Sequence, residues 1–277
     1  MEPVEIQTTD GARLVGQWTV PSQPRAAAVL HGATGVPASY YGRFAAWAAE
    51  ARGLAVLTYD YRGMGASATG PVREARVSMA DWGVRDQSAA LDHALMRFAD
   101  LPVWTIGHSL GGFCLPFHAN ADRVARHIAV ASGPAYWRAH PWRFMPSVLA
   151  FWFVLGPAAT ALLGYLPGHL MGLNADIPGP AYWEWRRWCV RAAFYRPDWG
   201  RTLPMPGRVT CPVDLVGIAD DVMIPPHRVA KLAEYFPAAP TRFREIAPAD
   251  AGVAQLGHIA VFAGRNAGAW PLILPAA

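Results

Sequence analysis

The sequence predicts an α/β fold: a mostly parallel central sheet, helices on both faces, and a mainly helical insertion. Three observations carry this. Short apolar runs alternate with helix-patterned segments over the first 133 residues. The runs "AAAVLHG", "LAVLTYD" and "PVWTIG" are apolar throughout, as in strands covered on both faces. The rhythm stops between residues 134 and 206, where seven of the 12 tryptophans gather among prolines, and resumes at "CPVDLVGIADD". The expected organisation is a core part over 1–133, an apolar Trp-rich cap or lid over 134–206, and a second core part over 207–277.

The elements follow in order. "VEIQTT" and "ARLVGQWTV" flank Asp10-Gly11, a hairpin dipeptide. "AAAVLHG" is a buried strand. "YYGRFAAWAAEARG" has helical spacing and ends on Gly53, a C-cap. "LAVLTYD" is the next strand. Ser78 with Asp81 three residues on resembles a capping box and opens a long helix to Asp100. "PVWTIG" is a strand, "GGFCLPFHA" a helix and "HIAVAS" a strand. After the insertion come a strand at "CPVDLVGIADD", a helix at "PPHRVAKLAEYF" and a strand at "TRFREIA".

Composition excludes several classes. The 277 residues are 53% hydrophobic and 16% charged, enough for a sizeable core and too apolar for long disordered tails. The net charge is +4, but the arginines are scattered, so no nucleic-acid partner is expected. Cys114, Cys189 and Cys211 make no metal or disulfide framework. They suit a reducing compartment, and "MEPVEIQTTDGARL" has no basic or apolar leader, so a cytoplasmic location is expected. Residues 144–168 are uncharged and long enough to cross a bilayer. Gly156-Pro157 is expected to break that stretch into two halves.

The chemistry concentrates at "GHSLG", residues 107–111, which fits G-x-S-x-G between a strand and a predicted helix. Such a turn strains the serine backbone and projects Ser109 Oγ from the sheet edge, with the predicted helix N-terminus favouring negative charge behind it. A serine needs a base, and the base an orienting acid. Behind this motif they follow in the order acid, then His. Asp220 and Asp221 both end a late strand, and both stay open as the acid. His258, in "QLGHIAVF", is the expected base, while His227 opens a helix and reads as a surface residue. His108, beside the serine, is expected to point away. Oxyanion donors are expected at the N–H groups of Leu110 and Ala33, the latter in the Gly-rich "LHGATG". His31 reads as a brace for that loop and as a candidate pocket residue.

Together "HGATG", "DYRGMGAS", "GHSLGG", "ADDVMIPP" and "LGHIAVF" resemble the α/β-hydrolase superfamily, nearest its serine-aminopeptidase and monoacylglycerol-lipase-like branch. The cap segment "YWEWRRWC" is similar to that of bacterial hydrolases with a Trp-rich cap. The resemblance implies a serine hydrolase without metal or organic cofactor, acting through an acyl-enzyme, and gives Asp60 and Arg62 a bracing role. Similar acid loops place an Asp four residues before a Pro, as Asp221 stands before Pro225, or three after a Gly, as Asp220 follows Gly217; the resemblance favours Asp221 and keeps Asp220 as the alternative. Trp137, Phe151, Trp152 and Trp185 are candidate pocket residues, and Arg186, Arg187 and Arg191 a candidate anion site or a solvated face. The expected substrate is a small-molecule ester with an apolar acyl or alcohol group. An amidase or aminopeptidase, an acyltransferase and a non-catalytic binding protein on the same scaffold are alternatives. The apolar lid raises peripheral contact with lipid as a further reading.

Overall fold

The computed structural model describes residues 1–275. An eight-stranded sheet forms its centre, in the order β1-β2-β4-β3-β5-β6-β9-β10. Strands β1 (Glu2–Gln7) and β2 (Arg13–Thr19) make the antiparallel hairpin at one edge, turning through Gly11 at φ +84°. Strand β2 then pairs antiparallel with β4 (Leu54–Tyr59). From β4 onward every pairing is parallel, through β3 (Ala26–His31), β5 (Val103–His108), β6 (Val124–Val130), β9 (Val213–Ile218) and β10 (Thr241–Ile246).

Strands β3, β4 and β9 are buried at every residue, because layers cover both faces. Their side chains alternate between two cores. Ala27, Val29, Ala55 and Leu57 face the core that holds helix α2 (Gln87–Arg97) and much of the insertion. Ala28, Leu30, Val56 and Ile106 face α1 (Gly42–Arg52) and the C-terminal segment. Helix α1 ends as its sequence predicts, on Gly53 in the left-handed region. The Ser78–Asp81 capping box forms: the Asp81 N–H donates to Ser78 Oγ, and the Ser78 N–H to Asp81 Oδ2. The helix behind it starts as a π turn over Asp81–Asp86 before α2.

Successive strands leave β3 for opposite neighbours, β4 on one side and β5 on the other. Such a switch point opens a crevice at the carboxyl ends of the strands, where open α/β sheets bind ligands. Here it lies between the loops after His31 and after His108.

Two local expectations are corrected. "GGFCLPFHA" is not a regular helix but two tight turns, Ser109–Gly112 and Leu115–Phe117. Two glycines disfavour a helix, and Pro116 lacks the N–H that would bond back to Gly112. The carbonyls of Gly112 and Phe113 accept instead from His127 Nε2 (2.9 Å) and Tyr195 Oη (2.9 Å). Nor does Gly156-Pro157 break the apolar stretch: one continuous helical run spans Trp142–Leu163. Between α3 (Met145–Leu149) and α4 (Gly156–Leu163) it widens into a π turn over Ala150–Leu155. That widening lies just ahead of Pro157 and relieves the clash of its ring with the carbonyl four residues back. The carbonyls of Phe151 and Trp152 accept from Tyr182 Oη (3.0 Å) and Arg186 Nε (2.6 Å).

The remaining insertion elements are a two-stranded ribbon, β7 (Tyr165–Leu166) with β8 (Ile177–Pro178), and α5 (Gly179–Cys189). Residues 134–206 contribute no strand to the large sheet, so β9 pairs with β6 directly. Helices α6 (Pro226–Lys231) and α7 (Trp270–Ile273) complete the chain.

Asp60 and Arg62 brace. Asp60 accepts from the Ala38 and Ala66 N–H groups, and Arg62 Nε donates to fully buried Asp86 at 2.6 Å. Burial pushes the Asp86 carboxyl up to about 7, against the pull of the Arg62 guanidinium. Arg62→Ala leaves a buried carboxyl that protonates and loses its charged partner, and is expected to cost about 1–3 kcal/mol of unfolding free energy. Arg62→Ala/Asp86→Asn recovers part of that loss. Urea unfolding followed by tryptophan fluorescence checks both; no shift in the Arg62→Ala midpoint contradicts the bracing role.

Candidate active site

The site is built where β5 runs out. Its last residue is His108, and Ser109 follows at φ +54°, a left-handed conformation that costs a residue with a side chain about 1–3 kcal/mol. Neighbouring glycines make room for it. A Cβ on Gly111 would overlap the His31 carbonyl, and one on Gly107 would overlap the Gly111 carbonyl. The turn is thus pressed against the end of β3, and Ser109 Oγ projects toward the switch-point crevice.

Ser109 Oγ lies 3.0 Å from His258 Nε2. His258 Nδ1 lies 2.7 Å from Asp221 Oδ2, and that carboxylate is buried. Asp221 Oδ1 accepts from the N–H groups of Met223 (2.7 Å) and Ile224 (2.9 Å), so the loop after β9 holds the carboxylate in orientation. The other aspartate is used differently: Asp220 accepts from the N–H groups of Leu256 (3.0 Å) and Gly257 (2.8 Å). Asp221 touches the imidazole, and Asp220 anchors the loop that carries it. A hydroxyl, an imidazole and a carboxylate in this line can pass a proton from oxygen to nitrogen while the carboxylate offsets the charge that forms.

A further chain of bonds runs behind this line. The Ala33 N–H donates to Tyr41 Oη at 2.9 Å. Tyr41 Oη lies 2.8 Å from His108 Nδ1, and His108 Nε2 lies 2.9 Å from the His258 carbonyl. A carbonyl only accepts, so His108 carries its proton on Nε2 and Nδ1 accepts from the tyrosine. Burial holds His108 neutral, its pKa well below the usual imidazole range. His108 thus points away from Ser109 Oγ, as expected, but ties the His258 backbone to the Gly-rich loop. Sequence reasoning missed Tyr41, eight residues past Ala33 with no motif to mark it.

This chain occupies one expected oxyanion donor. The Ala33 amide is engaged by Tyr41, and Thr34 instead reaches the cavity wall, with Leu110. The cavity holds about 530 Å³. Of the candidate pocket residues, Phe151, Trp152 and Trp185 line it and His31 and Trp137 do not. His31 is buried behind the loop with Nδ1 2.8 Å from Tyr59 Oη, and burial holds it neutral. Trp137 packs on Phe153, with Arg138 stacked over it. The polar lining is short: Thr34, Ser109, His258, Ser147 and His140. His140 Nδ1 donates to the Val222 carbonyl at 2.9 Å, which leaves Nε2 an acceptor without a protein partner.

Of the three candidate arginines, Arg187 in α5 and Arg191 just after it are spent on carboxylates. Arg187 bridges Glu184 (2.8 Å) and Asp198 (2.7 Å), Arg191 reaches Asp198, and Arg186 donates to the Trp152 carbonyl. Glu184 and Asp198 are thereby occupied too.

Comparison with known proteins agrees with this architecture. No curated protein matches the chain. Among similar solved structures is DcsB in complex with its substrate analogue, at 17% identity and a TM-score of 0.64 over 98% of this chain and 96% of that one. A hydrolase from Pseudomonas aeruginosa is similar at 19% identity and a TM-score of 0.57, over 99% and 98% of the two chains. A thermophilic esterase from Thermogutta terrifontis is similar at 16% and 0.56, over 96% and 95%. These likenesses speak for the fold. The family described as serine aminopeptidase, S33, matches residues 22–169, more than half of the chain, across the Gly-rich loop, the Asp60 loop and the Ser109 turn. The chain belongs to that family of α/β hydrolases.

Proposed function

We propose that the protein is a serine hydrolase that cleaves carboxylic esters with an apolar acyl or alcohol group. The observation that carries this is the line Ser109–His258–Asp221, opening on a largely apolar cavity. Ser109 attacks the acyl carbon while His258 Nε2 takes its proton. Asp221 orients the ring and stabilises the imidazolium. The protonated His258 then protonates the departing alcohol, and water, deprotonated by His258, releases the acid. The Leu110 N–H holds the acyl oxygen as it gains charge, together with Thr34, which takes the place left by the engaged Ala33 amide. Residues 134–206 act as the cap, supplying Phe151, Trp152 and Trp185 to the apolar wall. His140 Nε2 accepts from a hydroxyl or N–H on the substrate.

An ester fits better than an aminoacyl substrate. A free amine needs an anionic anchor, and no carboxylate lines the cavity among the described residues. Glu184 and Asp198, the acidic candidates of α5 and the turn after it, are paired with arginine.

A fluorophosphonate probe is expected to label the wild type and not Ser109→Ala; equal labelling of both would remove the nucleophile. On nitrophenyl esters, kcat/KM should rise from acetate toward longer acyl chains and exceed that on aminoacyl anilides. A flat or inverted series contradicts the apolar pocket.

The paired aspartates separate by two measurements. Asp221→Asn is expected to lower kcat by about 10³–10⁴, since an amide no longer compensates the imidazolium. Asp220→Asn stays within about tenfold in kcat, but loses part of the anchor and speeds hydrogen exchange at the Leu256 and Gly257 amides. A reversed order of kcat losses would move the acid role to Asp220.

A further inference from the structure

The helical run Trp142–Leu163 buries a single narrow stripe: Val148, Trp152, Gly156 and Thr160, each four residues after the last. A surface helix ordinarily turns charged residues outward. This one has no Asp, Glu, Lys or Arg between Arg143 and Asp176. Its outward face is Leu149, Phe153, Val154, Leu155, Leu162 and Leu163, with Val154 59% and Leu162 85% exposed. An uncharged helix exposing this many large apolar side chains marks a surface that meets a partner.

The charge around it indicates which partner. Arg143 stacks over Trp142, Arg138 over Trp137 and Arg186 over Phe153, at 5.2, 4.8 and 5.5 Å. Trp142 itself is 78% exposed. Among the described residues none of these three arginines has a carboxylate within ion-pair distance. Arginine and tryptophan beside an apolar helical face suit a membrane interface, with the cations at the phosphates and the apolar side chains among the upper acyl carbons. A second copy fits less well, since two-fold pairing through this face would bring six uncompensated arginines together. A membrane span also fits less well. The Tyr182 and Arg186 bonds to Phe151 and Trp152 fasten the helix to the rest of the insertion, and Val148 and Trp152 are part of the cavity wall. The same helix gives Phe151 and Leu155 to that wall, so apolar surface continues from the outer face to the cavity.

We propose that the outer face of the Trp142–Leu163 helix docks on an anionic lipid surface, and that acyl chains pass from that surface into the cavity. Docking stands on the helix and the arginines beside it; the delivery of substrate rests on the hydrolase reading of Ser109.

The test is flotation of the full-length protein with phosphatidylcholine vesicles, with and without phosphatidylglycerol. Wild type is expected to float with the anionic vesicles and to be released by high salt. Val154→Asp/Leu162→Asp, neither of which lines the cavity, should partition at least about tenfold less. Arg138→Glu/Arg143→Glu should lose the preference for anionic vesicles. Both variants should keep fluorophosphonate labelling of Ser109 and turnover of a water-soluble short ester, which shows that they are folded. Failure of the wild type to float, or equal flotation of the Asp variant, overturns docking. So does a lipid-free dimer that the Asp variant dissolves, which would assign the face to a second copy. Resistance of the bound protein to alkaline carbonate would assign a span and also overturn it. Flotation without labelling of wild-type Ser109 would instead overturn the hydrolase reading and leave docking standing.

Discussion

The close approach of two backbones fixes this site. Gly111 lies so near the His31 carbonyl that no side chain fits between them, and Gly107 is blocked by Gly111 in the same way. This crowding holds Ser109 at a positive φ that a serine in an open turn would leave. The strain is local, but the restraint is supplied by strands β3 and β5, paired in parallel along their length. The sheet therefore acts as the clamp for a single turn, and the hydroxyl direction is a property of the sheet.

Buried neutral histidines extend that clamp. His108 joins the Tyr41–Ala33 loop to the His258 backbone, and His127 joins β6 to the Gly112 carbonyl. Burial depresses both imidazoles, bringing His127 down to about 4. Each can then donate at one ring nitrogen and accept at the other without burying a charge. Histidine suits this position because it bridges two groups of opposite hydrogen-bonding sense.

Much of this was legible in the sequence where local rules and tertiary contacts agree. Apolar runs gave the strands, Gly53 and the Ser78–Asp81 box gave helix ends, and the spacing of G-x-S-x-G pointed to Ser109. The rest depended on partners distant in the chain. Asp220 and Asp221 are equivalent in local pattern, and only the positions of the Leu256–Gly257 amides and the His258 ring give them different contacts. The Ala33 amide read as free because nothing marks Tyr41 as its acceptor. Gly156-Pro157 read as a break because the widened turn, and the side chains of Tyr182 and Arg186 that satisfy it, come from another helix. In each case the outcome rests on a hydrogen bond that the local sequence does not contain.

The tight turns after Ser109 have a consequence for how such a protein can change. Where a regular helix follows such a serine, its own ladder of bonds makes the turn self-supporting. Here part of that support comes from Tyr195, whose hydroxyl donates to the Phe113 carbonyl from within the 134–206 segment. The segment is then not a detachable module laid over a finished catalytic scaffold. Exchanging it for that of a relative would remove a strut from beneath the serine turn, so new specificity and an intact turn must be acquired together.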